Sequence, residues 1–151
     1  MFIITIGNFF HRKELFTILI NKGESFYTYR HSLAIFSLSA GIGEGSIICP
    51  YSIINANAIL GEYESISVNV SISHEGTVGK HNVVSPYAAI NVNASIGKQG
   101  FIGSRSTIFP SISVGAFCIV DSHIAVRKNC EDKMILSELT TFSAIKNRFM
   151  G

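Results

Sequence analysis

Two adjacent residues, His74 and Glu75, carry side chains that together could move a proton. An imidazole titrates close to neutral pH and can therefore act as a general base. A neighbouring carboxylate could hold one tautomer of the ring and strengthen it as a base. His74 follows the aliphatic Ile72 by two residues, which suggests a corner or an outward position. A histidine in such a place can equally be a plain solvated residue, so the chemistry depends on the surrounding elements.

The cysteines form no recognisable metal or disulfide pattern. Cys49, Cys118 and Cys130 are odd in number, widely spaced and without a C-x-x-C pair. This spacing argues against a disulfide framework or a zinc ribbon and favours a reducing, cytoplasmic environment.

The composition bounds the fold and excludes several partners. The chain has 151 residues, of which 47% are hydrophobic, enough for one domain with a core and a small appendage. Its 12 basic and 10 acidic residues form no basic cluster, so we expect neither nucleic acid nor an anionic membrane as a partner. No apolar run is long enough to cross a membrane, and the first residues do not resemble a signal peptide.

A six-residue repeat dominates the chain. Every sixth residue from Ile42 to Val126 is aliphatic, over fifteen successive positions. This period fits neither a helix nor a simple alternating strand, but it is typical of short strands joined by tight corners. One such unit cannot bury its aliphatic residue alone, so the units must stack into a solenoid. The fifteen positions are Ile42, Ile48, Ile54, Leu60, Ile66, Ile72, Val78, Val84, Ile90, Ile96, Ile102, Ile108, Val114, Val120 and Val126.

This repeat resembles that of the hexapeptide-repeat acyltransferases. The resemblance implies an all-β solenoid, a three-sided left-handed parallel β-helix with three hexads in each coil and therefore about five coils. It also implies a homotrimer with its sites between neighbouring prisms.

The two ends of the chain lie outside the repeat. Phe2–Ile6 and Ser25–Tyr29 are predicted strands on either side of a helix at Arg12–Lys22, which Gly23 ends. Apolar residues at near-helical spacing predict a terminal helix within Glu131–Met150. We therefore expect a βαβ remnant of a Rossmann-like domain at 1–34, the β-helix at 35–130 and a C-terminal helix or tail at 131–151.

More specific motifs resemble the bacterial sugar acetyltransferases that include sialic acid O-acetyltransferases and N-acetyltransferases of nucleotide-linked 4-amino sugars. The stretch 71–88, SISHEGTVGKHNVVSPYA, resembles their catalytic segment, and 96–107, IGKQGFIGSRST, resembles the segment along which the pantetheine arm lies. The counterparts before the repeat are Ile6-Gly7-Asn8, Arg12-Lys13 and His31-Ser32-Leu33-Ala34.

The chain also departs from that family's pattern. Its N-terminal region is shorter than the family's nucleotide-binding domain, and Val83 stands where a second histidine often occurs. Val92-Asn93 replaces the usual Gly-Gly pair, and Thr141–Ile145 replaces the usual Gly-x-Pro-Ala-Lys ending.

The resemblance implies acetyl-CoA as the acyl donor and a sugar amine or hydroxyl as the acceptor. His74 would be the general base, with Glu75 holding its tautomer. Residues eighteen apart stack between coils, so Asn57 and Asn93 flank Glu75, and the Val92 N–H becomes a candidate donor to the thioester carbonyl. Asn93, Gly103, Ser104 and Arg105 are further expected acetyl-CoA contacts. His81 and Asn57 are expected acceptor contacts, and no metal is expected.

Two other functions fit parts of the sequence. A β-helix protein that has lost turnover would explain the short N-terminal region and Val92. A γ-class carbonic anhydrase would need three histidine ligands, but His74, His81 and His123 are predicted on three different sides of one prism. The sequence leaves open whether an amine or a hydroxyl is acetylated.

Overall fold

The fold is the left-handed parallel β-helix that the family resemblance implied, and its coils are the stacked short strands that the repeat predicted. A computed structural model describes residues 1–138 and the backbone of 145–146. Its strands are mostly two residues long, and each pairs in parallel with strands eighteen residues away, as Ile72 does with Ile54 and Ile90. The prism has about six turns rather than five, because strands before Ile42 add a lower coil.

The prism has three faces, which we number in chain order. The first face contains Tyr29–Arg30 (β1), Ile47–Ile48 (β4), Ser65–Ile66 (β7), Val83–Val84 (β10), Phe101–Ile102 (β13), Ile119–Val120 (β16), Met134–Leu136 (β18) and Ile145–Lys146 (β19). The second contains Ile35–Phe36 (β2), Ile53–Ile54 (β5), Ser71–Ile72 (β8), Ala89–Ile90 (β11), Thr107–Ile108 (β14) and Ala125–Val126 (β17). The third contains Gly41–Ile42 (β3), Ile59–Leu60 (β6), Thr77–Val78 (β9), Ser95–Ile96 (β12) and Ser113–Val114 (β15).

The repeated aliphatic residues form the core. Fourteen of the fifteen are at most 3% exposed, and Ile42, in the lowest coil, is half-buried. Each strand thus sends one side chain inward, and the stacked coils bury a continuous apolar column.

Each corner is a tight turn, which we name by the faces it joins. In fourteen of these turns the second turn residue is not glycine and has φ near +60°. This left-handed conformation costs about 1–2 kcal/mol for a non-glycine residue. In thirteen of these turns the N–H of that residue donates to a carbonyl of the coil below, as Glu75 does to Ala56 at 3.0 Å, and in the other the Asn57 N–H donates to Ser39 Oγ at 3.0 Å.

One α-helix occurs in the described residues, Phe9–Asn21 (α1), and it packs against corner 3–1. It begins three residues before the predicted Arg12, because the Asn8 side chain caps it by accepting from the N–H groups of Phe10 and His11. Phe16 of the helix is fully buried against Phe26 and Tyr63, at ring-centroid distances of 4.8 and 4.4 Å.

The strands predicted beside this helix are much reduced. Phe2 and Phe26 form one parallel bridge instead of two full strands. Tyr29–Arg30 pairs with β4 and belongs to the first face of the prism, so the β-helix starts before the predicted boundary at residue 35. The division of the chain into three parts stays a prediction.

The predicted C-terminal helix is wrong in the described part of 131–151. Met134–Leu136 continues the first face by pairing with β16, and Ile145–Lys146 pairs with it in the antiparallel sense. The physical reason is that the last coil offers unpaired backbone groups, which a further strand satisfies. Residues 139–144 and 147–151 of the predicted helix lie outside the described residues. Within the described chain, no helix is long and apolar enough to span a membrane.

Candidate active site

His74 and Glu75 are the two turn residues of a corner between the second and third faces. Both side chains are exposed, and Glu75 has φ of +59°. The turn is held from both sides, because Glu75 N–H donates to Ala56 O below it and Asn93 N–H donates to His74 O from above, at 3.0 and 3.3 Å. The backbone therefore holds the pair at a defined height on the prism while the side chains stay accessible.

The residues stacked on this pair are those the eighteen-residue register predicted. Ala56 and Val92 occupy the position of His74 in the coils below and above, and Asn57 and Asn93 occupy that of Glu75. Both asparagines are exposed and left-handed, with φ of +58° and +57°. The surroundings are therefore small or polar, apart from the branched side chain of Val92.

His81 lies on corner 3–1, away from His74 within the chain. Its ring stacks on Tyr63 at 4.9 Å and lies 5.7 Å from Phe16 of α1. Burial lowers the pKa of His81 to about 4, and the charge of Arg12 adds to this effect. Its Nδ1 atom is buried without a hydrogen-bond partner in the described residues. These contacts fit a neutral histidine packed beneath α1, and the predicted acceptor contact remains a prediction.

The predicted acetyl-CoA contacts at 103–105 lie on corner 1–2. The Arg105 guanidinium is 5.2 Å from the ring centre of Tyr87. A Cβ on Gly103 would lie 2.5 Å from Ser122 N, so glycine is needed there for coil packing. Within one chain these residues are one face away from His74. His123 is also on corner 1–2, so the three histidines considered for a metal occupy three different corners.

The sequence analysis missed two basic residues, Arg127 and Lys128, at the upper end of the corner that carries His74. Counting eighteen residues three times from His74 leads to Lys128, and the preceding Arg127 directly follows β17. The Arg127 guanidinium lies 4.1 Å from the ring centre of Phe109, one coil lower. Three coils correspond to about 14 Å at the usual strand spacing. The same register that predicted Val92 above His74 would have found these residues.

Exposed apolar residues surround the lower half of the second face. Ile35 and Ile53 point outward from strands β2 and β5, and Tyr51 and Tyr87 are exposed at corner 1–2. Leu38, two coils below His74 on its own corner, is fully exposed. A patch of this kind on a monomer is typical of a protein interface.

The comparisons with known proteins concern mainly the fold. Neither a family model nor a curated protein matches the chain. A similar solved structure is PerB from Caulobacter crescentus in complex with CoA and GDP-perosamine, with 25% identity and a TM-score of 0.85 over 88% of this chain. The resemblance to hexapeptide-repeat sugar acetyltransferases is confirmed.

Two further structures share the fold. The acetyltransferase domain of PglB from Neisseria gonorrhoeae in complex with acetyl coenzyme A has 21% identity and a TM-score of 0.85 over 88% of this chain. WeeI from Acinetobacter baumannii has 21% identity and a TM-score of 0.85 over 95% of this chain. This chain spans 64% of PerB and 65% of the PglB domain, less than two thirds of either.

Proposed function

We propose that the protein transfers an acetyl group from acetyl-CoA to an amine or hydroxyl of a sugar, in the biosynthesis of a surface polysaccharide or glycan. The observation that carries this proposal is the exposed His74–Glu75 pair on a prism that matches PerB, a protein solved with CoA and GDP-perosamine. The acceptor would be a nucleotide-linked amino sugar or a sialic acid.

In the proposed reaction, neutral His74 takes the proton from the acceptor amine or hydroxyl as it attacks the thioester carbonyl. The carbonyl oxygen becomes negative in the tetrahedral intermediate and accepts a hydrogen bond from the Val92 N–H, one coil above. The C–S bond then breaks, the acetyl group stays on the acceptor, and the imidazolium returns its proton to the CoA sulfur. No cysteine lies beside His74 in the sequence, so direct transfer is favoured over an acyl-enzyme.

Glu75 would hold the tautomer of the imidazole and stabilise the imidazolium. Asn57 and Asn93, directly below and above it, offer amide groups that can hydrogen-bond the acceptor or the pantetheine arm. Their left-handed backbone conformation is shared with Glu75, so the three side chains leave the prism at the same point of the turn.

The acetyl-CoA would extend upward along the His74 corner. Its phosphates would meet Arg127 and Lys128, because cations three coils above the thioester suit the far end of an extended pantetheine arm. Gly103, Ser104 and Arg105 would approach the same ligand from a neighbouring subunit.

A homotrimer in the cytoplasm completes the proposal. The exposed apolar residues of the second face border the corner that carries His74, so covering them with another subunit would enclose the site between two prisms. Light scattering coupled to size exclusion would measure the mass of the assembly.

The test is release of CoA thiol from acetyl-CoA in the presence of nucleotide-linked amino sugars or sialic acids. We expect His74→Ala to lower kcat by about 10²–10⁴-fold, with affinity for CoA retained. His123→Ala is the matched control, since His123 is also an exposed corner residue but lies on another corner. Equal activity of wild type and His74→Ala would remove the catalytic role. If neither wild type nor any variant turns over an acceptor or binds CoA, the chain is a β-helix protein without acetyltransferase activity. Val92 in place of the usual glycine is the sequence feature that favours this alternative.

A further inference from the structure

Two cysteines meet at the upper end of the prism. Cys118 is fully buried on the inner side of corner 3–1. Cys130 packs against the same core from the coil above, where its backbone forms a bridge with Val114. Val114 precedes Cys118 by four residues, so the two cysteines belong to adjacent coils that follow each other at one strand spacing.

The hydrogen bonds around the two sulfur atoms are specific. Cys118 Sγ lies 3.1 Å from the carbonyl oxygen of Glu131, the residue next to Cys130. The Met134 N–H donates to Cys118 Sγ at 3.5 Å, and Cys130 Sγ lies 3.9 Å from the carbonyl oxygen of Ser113. The neighbouring Cys130 lowers the pKa of Cys118 to about 7, and the same interaction raises the pKa of Cys130. Cys118 is therefore the thiol that more readily becomes a thiolate.

We propose that Cys118 and Cys130 are a redox modification site, at which a low-molecular-weight disulfide such as oxidised glutathione drives formation of an internal disulfide. Cys130, which solvent can reach, loses its proton to solvent and attacks one sulfur of the oxidant as a thiolate, slowly because its pKa is raised. The sulfur–sulfur bond of the oxidant breaks, a mixed disulfide forms on Cys130, and one glutathione thiolate leaves and takes up a proton. The Cys118 thiolate then attacks the Cys130 sulfur, the bond to glutathione breaks, and a second glutathione thiol leaves. Both protein thiols are oxidised, and one glutathione disulfide is reduced to two thiols.

The different exposure of the two cysteines supports this order of events. Cys130 is partly exposed and can reach a soluble oxidant, whereas Cys118 has no exposed surface. Cys118 can therefore react only with a sulfur already beside it. The resulting bond would tie the segment after Arg127 to the last complete coil.

The experiment uses Cys49→Ser as the background, because Cys49 is also partly exposed. The full chain is treated with oxidised glutathione at pH 8, quenched with acid and analysed by intact mass and peptide mapping. We expect the mass to fall by two hydrogen atoms and one peptide pair to be linked through Cys118 and Cys130. The thermal midpoint should rise by about 5 °C or more and return after reduction.

Two further variants in this background test the order of attack. Cys118→Ser should keep a stable glutathione adduct on Cys130, because no thiolate is present to displace it. Cys130→Ser should remain unmodified, because Cys118 is buried. A glutathione adduct that persists in the background protein would overturn the proposal. It would also be overturned if, after three hours of treatment and unfolding, an alkylating agent still modified both cysteines.

Discussion

Glu64 is a buried acid, and its burial predicts how the free energy of unfolding changes with pH. It lies on the inner side of corner 3–1, is 0% exposed, and its Oε1 accepts from the backbone and side-chain N–H groups of Asn82 at 3.1 and 3.3 Å. Its Oε2 is buried without a hydrogen-bond partner in the described residues. Arg12 of α1 is close, but its guanidinium donates to the carbonyl oxygens of Tyr63 and Glu64 rather than to the carboxyl group. Burial therefore dominates and raises the pKa of Glu64 well above 4.5.

The perturbation is Glu64→Gln, which keeps an acceptor for Asn82 and cannot ionise. Above pH 4.5 the unfolded wild type loses the Glu64 proton while the folded protein keeps it, so stability falls as pH rises. The loss is about 1.4 kcal/mol per pH unit for as long as the folded carboxyl stays protonated. From pH 5 to pH 7 the variant should therefore gain stability relative to wild type, and the gain has an upper limit of about 2.7 kcal/mol, which is reached when the folded carboxyl keeps its proton over the whole range.

The assay is urea unfolding followed by far-UV circular dichroism at pH 5, 6 and 7. Other titrating groups are common to both proteins, so they cancel in the difference between the two unfolding free energies. Glu62→Gln is the control, since this exposed residue lies on the same corner, 3.9 Å from Lys80, and should change stability by less than about 1 kcal/mol at each pH. If the difference in unfolding free energy between wild type and Glu64→Gln does not change with pH, Glu64 is not a protonated acid in the folded protein. A difference that grows in favour of wild type would show instead an ionised Glu64 paired with Arg12.

Three further predictions follow from other parts of the prism. Gly79→Ala should destabilise the protein by about 2 kcal/mol or more, since the new Cβ would lie 2.8 Å from backbone atoms of the next coil, whereas Gly41→Ala meets open space and should be nearly neutral in urea unfolding. Lys128→Ala should raise the KM for acetyl-CoA about tenfold with little change in kcat, while Lys98→Ala, on another corner, should not; equal effects in steady-state kinetics would remove the phosphate assignment. His81 should titrate near pH 4 by NMR, and because its folded pKa is lowered, its contribution to stability should grow from about pH 4 to pH 6.5; a midpoint at its ordinary value of 6.5 would contradict the buried position.

The part of the fold that obeys the repeat could be predicted from the sequence. A strict period of six specifies which residue faces inward, and it also predicts which residues of adjacent coils stack. The position of His74 between Ala56 and Val92 followed from that count alone. The same eighteen-residue register also predicts the positions of Arg127 and Lys128.

The helix before the repeat was predicted to within three residues, but its packing and the strand after the repeat could not be predicted, because they depend on contacts with the prism. Arg12 lies on a helix with little amphipathic pattern, and its burial is explained only by the carbonyl groups of corner 3–1 that it meets. Ile135 has apolar neighbours at helical spacing, yet the unpaired edge of β16 makes it a strand. The approach of neighbouring subunits to His74 likewise depends on surfaces that one chain does not contain.

The left-handed corners have a consequence for how the prism is built. In the lowest coil, where no coil lies below, Leu33 and Ser39 do not adopt the left-handed conformation, and their N–H groups bond locally to His31 Nδ1 and Ser37 Oγ. From Tyr51 upward, the strained turn occurs together with an acceptor supplied by the coil beneath it. Each of these turns thus depends on an acceptor in the coil below it, and the turn that presents Glu75 depends on the carbonyl oxygen of Ala56. The N–H groups of the strands donate in the opposite direction, as Ile53 does to Val70 O at 2.9 Å, so each coil depends on the coil above it as well as on the coil below.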